Sequence, residues 1–348
     1  MIVPSSSTSA CAQHGGNLAE AEALFGRPRS GWLDLSTGIN PFSYPVPPLP
    51  ADCWTRLPAD DLALRRAAAA CYGIGDPDCV VAAPGSQAIL QLLSYVLGPG
   101  TVAVLGPTYA ELSRVWASAG RSVIHVETLD PVPDADFVVV ANPNNPDGRV
   151  HPRERLLAIA RHLAGRGGFL IVDEAFADAT PHVSVADHAG MPGLIVLRSF
   201  GKFFGLPGLR LGFALTERGL ASSLRAALGP WPVSGPALAI GCAALADKPW
   251  IDRMRTMLAL EADRLDRLLS VTGLTVIGGT PLFRLVETPY ASDLFAHLGA
   301  QGIWVRRFSN RPNWLRFGLP GRDFARLAAA MQQMSKRCAP ITSRVSGR

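Results

Sequence analysis

Between about residue 60 and residue 230, short apolar β-branched runs alternate with stretches whose apolar positions recur at helical spacing. The runs predict strands at Cys79–Ala82, Val102–Leu105, Ser122–Val126, Phe137–Ala141, Phe169–Val172, Leu194–Leu197 and Leu211–Leu215. Helices are predicted between them at Leu62–Cys71, Gln87–Leu97, Ala110–Ala119 and Arg153–Leu163. This alternation is the signature of a layered α/β domain with a mostly parallel sheet and helices on both faces. After Pro236 the pattern changes to long helices, Ala237–Ala246 and Trp250–Ser270. Short strands follow near Thr275–Ile277, Pro281–Val286, Ile303–Arg306 and Trp314–Phe317, then a last helix from Asp323 to Lys336. That tail reads as a small α+β domain. The expected organisation is an N-terminal arm (1–40) packing with the small domain, a large domain (41–235), the small domain (236–338) and a frayed tail (339–348). Between Pro41 and Pro58 the prolines predict an extended connection with no regular element.

Composition narrows the function classes. In 348 residues, 48% are hydrophobic and 18% charged, so the chain has enough apolar surface for a large core and is not disordered. The net charge of +5 is spread without a Lys/Arg block or interleaved aromatics, which argues against a nucleic-acid partner. Scattered arginines suit small anions and carboxylates better. No stretch approaches the roughly 20 apolar residues of a membrane span, and no secretory leader is visible at the start. The six cysteines show neither C-x-x-C pairs nor metal-ligand spacing with histidines. A cytoplasmic protein without a metal site is the expectation.

The 33 basic residues include just three lysines, Lys202, Lys248 and Lys336. Lys202 stands in Ser199-Phe-Gly-Lys-Phe-Phe-Gly-Leu-Pro-Gly-Leu-Arg210, a glycine-rich apolar turn after a buried strand. Desolvation there lowers an ammonium pKa, which suits an amine that must attack a carbonyl; the alternative is a surface lysine in a loop. Ser199 and Arg210 flank it at spacings that let a hydroxyl and a guanidinium converge on a phosphate. Gly85-Ser86-Gln87, where a strand gives way to a helix, offers a second phosphate cradle of free N–H groups, although such turns also open helices that bind nothing. Asn145, in Asn142-Pro-Asn-Asn-Pro-Asp-Gly148, and Asp173, in Asp-Glu-Ala-Phe176, fall at carboxyl ends of predicted parallel strands, where open α/β sheets bind ligands. Asp173 is either a desolvated carboxylate needing a cationic partner or a structural ion pair or cap, and Asn145 is either a ligand-facing amide or a turn residue.

In this order and spacing these motifs resemble the aminotransferase-like, fold type I pyridoxal-phosphate enzymes, along nearly the whole chain. Three further segments, His14-Gly-Gly-Asn17, Asp34-Leu-Ser-Thr-Gly-Ile-Asn40-Pro and Gly106-Pro-Thr-Tyr109-Ala-Glu, are similar to those of the threonine-phosphate decarboxylases of cobalamin biosynthesis, relatives of the histidinol-phosphate aminotransferases. The resemblance implies a three-layer α/β/α large domain, a pyridoxal 5'-phosphate cofactor, a homodimer and a small phosphorylated amino-acid substrate. Residue by residue, Lys202 matches the lysine that holds the cofactor, Asp173 the carboxylate on its pyridine nitrogen, and Asn145 the amide on its phenolic oxygen. Gly85, Ser86, Ser199 and Arg210 match phosphate-binding positions, with Gln87 beside them. Tyr109 matches an aromatic residue stacked on the ring and otherwise reads as a half-buried core tyrosine. Arg316 matches the arginine for the substrate carboxylate, and Arg306 a second arginine for substrate anions. His14, Gly15, Gly16, Asn17 and Asn40 are expected to meet substrate, the glycine turn closing over it.

Two positions depart from the pattern. Phe176 stands where many relatives have tyrosine, which removes one hydrogen bond to the phenolic oxygen, and Leu57-Pro58 replaces a Tyr-Pro whose tyrosine reaches the partner subunit's phosphate site. The implied reaction is decarboxylation of O-phospho-L-threonine. The alternatives are a histidinol-phosphate-type aminotransferase and, from another class, a cofactor-sensing regulator. The last has about 30 residues before Trp32, too few for a helix-turn-helix domain.

Overall fold

The computed structural model describes residues 14–58 and 60–338, the last four by their backbone. The expected frayed tail, the first thirteen residues of the arm and the side chain of Lys336 lie outside the described residues.

The chain opens with helix α1 (Leu18–Phe25), whose cap is Asn17: its side chain accepts the Glu20 N–H. Strand β1 (Leu33–Asp34) follows. Within the proline-rich stretch the structure departs from expectation. Asp52–Thr55 forms a single helical turn, α2, because residues 51–57 contain no proline and the Arg56 N–H can close on Asp52 O.

The large sheet is then assembled. Helix α3 (Leu62–Tyr72), β2 (Val80–Ala83), α4 (Ser86–Val96), β3 (Val102–Leu105), α5 (Glu111–Ser118), β4 (Val123–Val126), β5 (Phe137–Ala141), α6 (Arg153–Ala164), β6 (Phe169–Asp173), β7 (Leu194–Ser199), the one-turn α7 (Phe200–Phe203), β8 (Gly212–Thr216) and α8 (Arg218–Leu228) follow in chain order. Seven strands pair in the order β2-β8-β7-β6-β5-β3-β4. All neighbours are parallel except β8, which runs antiparallel to both β7 and β2.

Alternate residues of each strand enter two different cores. Val138, Val140, Leu170 and Val172 face one layer, and Val139, Ala141, Ile171 and Ile195 the other. Strands covered on both sides of a sheet are apolar on both faces, which is why β2, β3, β5, β6 and β8 read as continuous hydrophobic runs, whereas the edge strand β4 exposes Ile124 and His125.

The remaining chain supplies α9 (Gly235–Ala246), α10 (Lys248–Val271), β9 (Thr275–Thr280), β10 (Phe283–Glu287), α11 (Ala291–Ala300), β11 (Ile303–Trp304), β12 (Arg306–Arg307), β13 (Trp314–Gly318) and α12 (Phe324–Cys338). A small sheet has the order β12-β13-β10-β9, and β11 pairs in parallel with β1, so the N-terminal segment is hydrogen-bonded to the C-terminal part of the chain. No helix among the described residues is long and apolar enough to cross a membrane.

Candidate active site

The carboxyl ends of β2, β5, β6 and β7 open into a cleft of about 600 Å³ whose far side is formed by β12, β13 and the loop after β12. Lys202 lies on its floor. The three phenylalanines around it, Phe200, Phe203 and Phe204, are buried, with Phe200 stacked on Phe204 at 4.3 Å between ring centroids. Anchoring the flanking rings in the core leaves the lysine as the side chain of that turn that faces the cleft. The arm clamps the same turn: Asn40 N–H donates to Lys202 O (3.0 Å), Asn40 Nδ2 to Phe203 O (2.7 Å) and Ser43 Oγ to Gly205 O (2.8 Å). Lys202 Nζ donates to Thr37 O at 3.3 Å and sits 5.6 Å from the Phe176 ring centre. Burial first, then the charge of Arg316, pulls its pKa down to about 8, although Asp173 opposes the shift.

Asp173 closes β6. Burial raises its pKa to about 6 even though it accepts the Ala175 N–H at 3.1 Å and feels Lys202. Among the described residues it makes no ion pair, so a desolvated carboxylate faces the cleft in want of a cationic or N–H partner. The next residue, Glu174, turns the other way into a buried network. Arg198 Nη1 donates to it at 2.7 Å, Ser184 Oγ at 2.5 Å and the Val185 N–H at 2.7 Å, while Arg198 also binds Asp178. This network ties the end of β6 to β7 and so fixes the spacing between Asp173 and the lysine turn.

Within Asn142-Pro-Asn-Asn145, three asparagines divide the work. Asn142 Nδ2 donates to Val183 O (3.1 Å), and Asn144 receives Thr108 Oγ1 (2.7 Å) while donating to Pro107 O (2.8 Å). Both shape the loop, leaving Asn145 as the asparagine that lines the cleft. The loop tip is pressed onto the small sheet: a Cβ on Gly148 would come within 2.0 Å of Gly279 O.

The anion cradle is assembled at the start of α4. Gly85 has φ +91°, and a Cβ there would lie 2.6 Å from Arg210 Nη2, so the guanidinium rests directly against the glycine. A Cβ on Gly212 would fall 2.2 Å from the Ser86 nitrogen, so the neighbouring strand also approaches backbone to backbone. Ser199 pairs with Gly212 in register. The free N–H groups and positive end of an eleven-residue helix, a hydroxyl and a guanidinium thus converge.

Across the cleft Arg306 and Arg316 are register partners on β12 and β13 and therefore share one face. Arg316 is 5% exposed. It donates through Nη1 to Asn145 Oδ1 and through Nη2 to Ser36 O at 2.7 Å, lies 4.9 Å over the Phe283 ring, and leaves Nε without a partner. Burial and the neighbouring Arg306 charge lower its pKa, and burial lowers that of Arg306. The Arg316 shift marks a buried positive charge that no carboxylate touches among the described residues. On the near rim, Tyr109 is half-buried with its pKa pushed up to about 12 by burial and then by Glu111, and its ring lies 5.9 Å from that of His14.

Most of the predicted residues meet in this cleft: Gly85, Ser86, Gln87, Tyr109, Asn145, Asp173, Ser199, Lys202, Arg210, Arg306, Arg316, His14 and Gly15 all line it. Three predicted substrate contacts do not. Asn17 is spent on capping α1, Gly16 directs its N–H to Ser36 Oγ (2.7 Å), and Asn40 is buried and holds the lysine turn from behind. They act on the site through other residues. Ser36, Thr37, Thr108 and Arg307, which line the cleft, carry no separate signal in the sequence, because two of them act through main-chain carbonyls and one sits next to a stronger arginine motif.

A mixed seven-stranded sheet with a desolvated lysine, a carboxylate that makes no ion pair among the described residues and an anion cradle at its strand ends is the architecture of fold type I. The family model described as aminotransferase class I and II matches residues 56–334, and the chain belongs to that family. More particularly, the chain is 44% identical over 324 residues to a threonine-phosphate decarboxylase of Pseudomonas aeruginosa, covering 92% of this chain and 97% of that one. It is 45% identical over 334 residues to a threonine-phosphate decarboxylase of Sinorhizobium sp, covering 92% and 98%. The solved histidinol-phosphate aminotransferase of Sinorhizobium meliloti in complex with pyridoxal-5'-phosphate superposes with a TM-score of 0.81 at 23% identity, over 97% of this chain and 99% of that one, a likeness of fold.

Proposed function

We propose that the chain is a pyridoxal-phosphate-dependent carboxy-lyase that converts O-phospho-L-threonine to (R)-1-aminopropan-2-ol phosphate and carbon dioxide, the aminopropanol arm in cobalamin synthesis. The observation that carries the substrate class is the cross-strand pair Arg306/Arg316. Two guanidiniums held side by side, one of them buried with an orphaned Nε, ask for a ligand with two anionic groups, as a phosphorylated amino acid has. The sequence relatives support the choice of decarboxylation.

The residues present fit the cofactor. Its phosphate suits the cradle of Gly85, Ser86, Ser199 and Arg210; its pyridine nitrogen answers the unpaired Asp173; its phenolic oxygen suits Asn145; and Lys202 is an amine of lowered pKa within the same cleft. When bound, pyridoxal phosphate supplies an aldehyde that condenses with amines and a protonated ring that draws electrons from a substrate α-carbon bond. The protein does the rest. Asp173 keeps a proton on the pyridine nitrogen, and Tyr109 covers the ring face beside it. Arg316 and Arg306 would bind the substrate's carboxylate and phosphate and so fix the orientation of its α-carbon in the cleft. Lys202 Nζ would hold the cofactor's aldehyde and, as the amine of lowered pKa in the cleft, would supply the proton that the substrate α-carbon gains when carbon dioxide leaves. The carboxylate's electron pair ends as a C–H bond, and no net oxidation occurs. Asn145 serves its oxygen without help from residue 176, where Phe176 has no hydroxyl.

The test is to incubate the cofactor-loaded protein with O-phospho-L-threonine and no keto acid. Catalytic release of carbon dioxide with aminopropanol phosphate supports the reading. Conversion of the cofactor to its amine form without carbon dioxide overturns it in favour of transamination.

The same reading takes the enzyme as a homodimer in a reducing, cytoplasmic setting. Trp54, Leu57 and Trp231 are 69%, 68% and 55% exposed, and Leu57 borders an apolar hollow of about 340 Å³ beside α9, which supports a second copy as the covering surface. The described cysteines Cys53, Cys71, Cys79 and Cys242 are free thiols. Sedimentation of the wild type and of Leu57→Glu checks the first point: a monomeric wild type overturns it.

A further inference from the structure

Glu111 is a carboxylate 2% exposed at the first residue of α5, on the rim of the cleft, and the chemistry above makes no use of it. Three side chains converge on it. Arg114 binds it with Nε and Nη2, both at 2.8 Å, Gln87 Nε2 approaches at 3.4 Å, and His14 Nε2 lies 3.2 Å from Oε1. Arg114 and Gln87 belong to the helices of the large sheet; His14 belongs to the N-terminal turn. That turn is built to seat in one place. A Cβ on Gly15 would come 2.4 Å from Ser36 O, the carbonyl that also receives Arg316, and the Gly16 N–H bonds Ser36 Oγ at 2.7 Å. One helical turn further on, Glu20 reaches Arg307 at 3.6 Å, beside Arg306 on the opposite wall.

We propose that Glu111 is a positioning residue that pins His14 across the mouth of the cleft, so that the segment from His14 to Glu20 spans from the large-sheet rim to the substrate-anion wall and slows loss of bound substrate. The inference rests on the reading of the cleft as the substrate site. Arg114, 57% exposed itself, binds both carboxylate oxygens, Nε on Oε1 and Nη2 on Oε2, and so orients the group; His14 meets the same Oε1 that Arg114 Nε holds. A contact to a buried carboxylate that a guanidinium already holds through two nitrogens is geometrically fixed, which a lone surface pair is not. It meets neither Lys202 nor Asp173, and its charge reaches the site through Tyr109 and Gln87, so its loss is expected to fall on binding more than on the chemical step.

The experiment uses the cofactor-loaded enzyme and a double-mutant cycle of His14→Ala and Glu111→Gln. Glu111→Gln preserves side-chain shape, so folding is retained. Each single variant is expected to raise the KM for O-phospho-L-threonine about tenfold with kcat within about twofold, and the double variant is expected to match the singles without multiplying them. A second readout is independent of turnover. Hydrogen exchange at the Gly16 amide, held by Ser36 Oγ, is expected to rise in both singles to a common level while exchange in β6 and β7 stays fixed. If the KM effects multiply, or if Glu111→Gln leaves exchange at Gly16 unchanged, the latch is wrong. If wild type fails to turn over phosphothreonine while the exchange pattern holds, the substrate reading falls and the latch stands.

Discussion

The floor and the far wall of the cleft are built on opposite electrostatic plans. On the floor, Asp173 and Lys202 lie close enough to affect one another's ionisation, Asp173 at the end of β6 and Lys202 on the one-turn helix α7 that follows β7. On the wall, Arg306 and Arg316 stand side by side, and the guanidinium of Arg316 is met by an amide oxygen and a main-chain carbonyl with no carboxylate in contact. The floor is complete for a permanent group that carries its own aldehyde, acid nitrogen and phosphate. The wall, on the proposed reading, awaits the substrate's anions. Substitutions on the floor are therefore expected to strike the chemical step and those on the wall to strike binding.

The largest expected effect tests the floor. Lys202→Ala removes both the cofactor's covalent anchor and the proton donor, and turnover is expected to fall by roughly 10⁴-fold or more. Borohydride treatment of the loaded wild type, followed by peptide mapping, is expected to fix the label on Lys202 out of three lysines. A label on Lys248 or Lys336 would move the floor elsewhere. Next comes the wall. Arg316→Ala strips a buried cation from its anion, and a loss of about 2 kcal/mol or more is expected, at least thirtyfold in KM with kcat changed several-fold at most. A variant that lost kcat alone would erase the distinction between the two surfaces.

How much of this division could be read beforehand follows from where the information resides. Chemistry that depends on a side chain at a strand end, such as Asp173 after Leu-Ile-Val or Lys202 among phenylalanines, is legible because the buried run announces the strand and the polar residue interrupts it. The large sheet was legible for the same reason, its strands being apolar on both faces. Chemistry that depends on main-chain atoms was not. Ser36 O and Thr37 O carry no mark of their role, and Asn17 and Asn40 looked like ligand residues because caps and turn clamps use the same amides that ligand sites use. Helices α8 and α11 also escaped: α8 buries just Ala221 and Leu224, and α11, which buries Leu294, Phe295 and Leu298, lies between short strands with no motif beside it. Glu111 stood inside a recognised motif, yet its partners come from residues 14, 87 and 114, and no local pattern joins those positions.

A smaller effect asks whether floor and wall communicate. In the cofactor-free protein Lys202 has a pKa of about 8, so its amine is mostly protonated below that pH and becomes reactive as pH rises through it, well below the ordinary lysine range. Labelling of Lys202 by an amine reagent, followed by mass spectrometry, is expected to show a midpoint near pH 8. Arg316 lowers this pKa and Asp173 raises it. Arg316→Ala is therefore expected to shift the midpoint upward and Asp173→Asn to shift it downward. An unmoved midpoint in Arg316→Ala would mean that the wall's charge does not reach the floor.

The smallest effect concerns the cradle, where backbone shape does the binding. In Gly85→Ala two costs compete: the φ of +91° and the approach to Arg210 Nη2 at 2.6 Å. Arg210 is exposed and its guanidinium is the far end of a long side chain, so it can swing aside, and the backbone strain is the larger penalty at about 1–2 kcal/mol. The expected result is a roughly tenfold weaker hold on pyridoxal phosphate, measured by equilibrium dialysis, with KM for substrate unchanged once the cofactor is saturating. Gly212→Ala differs in kind. Its Cβ would meet the Ser86 nitrogen at 2.2 Å, and a main-chain atom at the start of α4 cannot retreat without moving the helix end. If the two glycine variants weakened cofactor binding equally, the cradle would owe its grip to Arg210 alone, and the geometry of the helix start would contribute little.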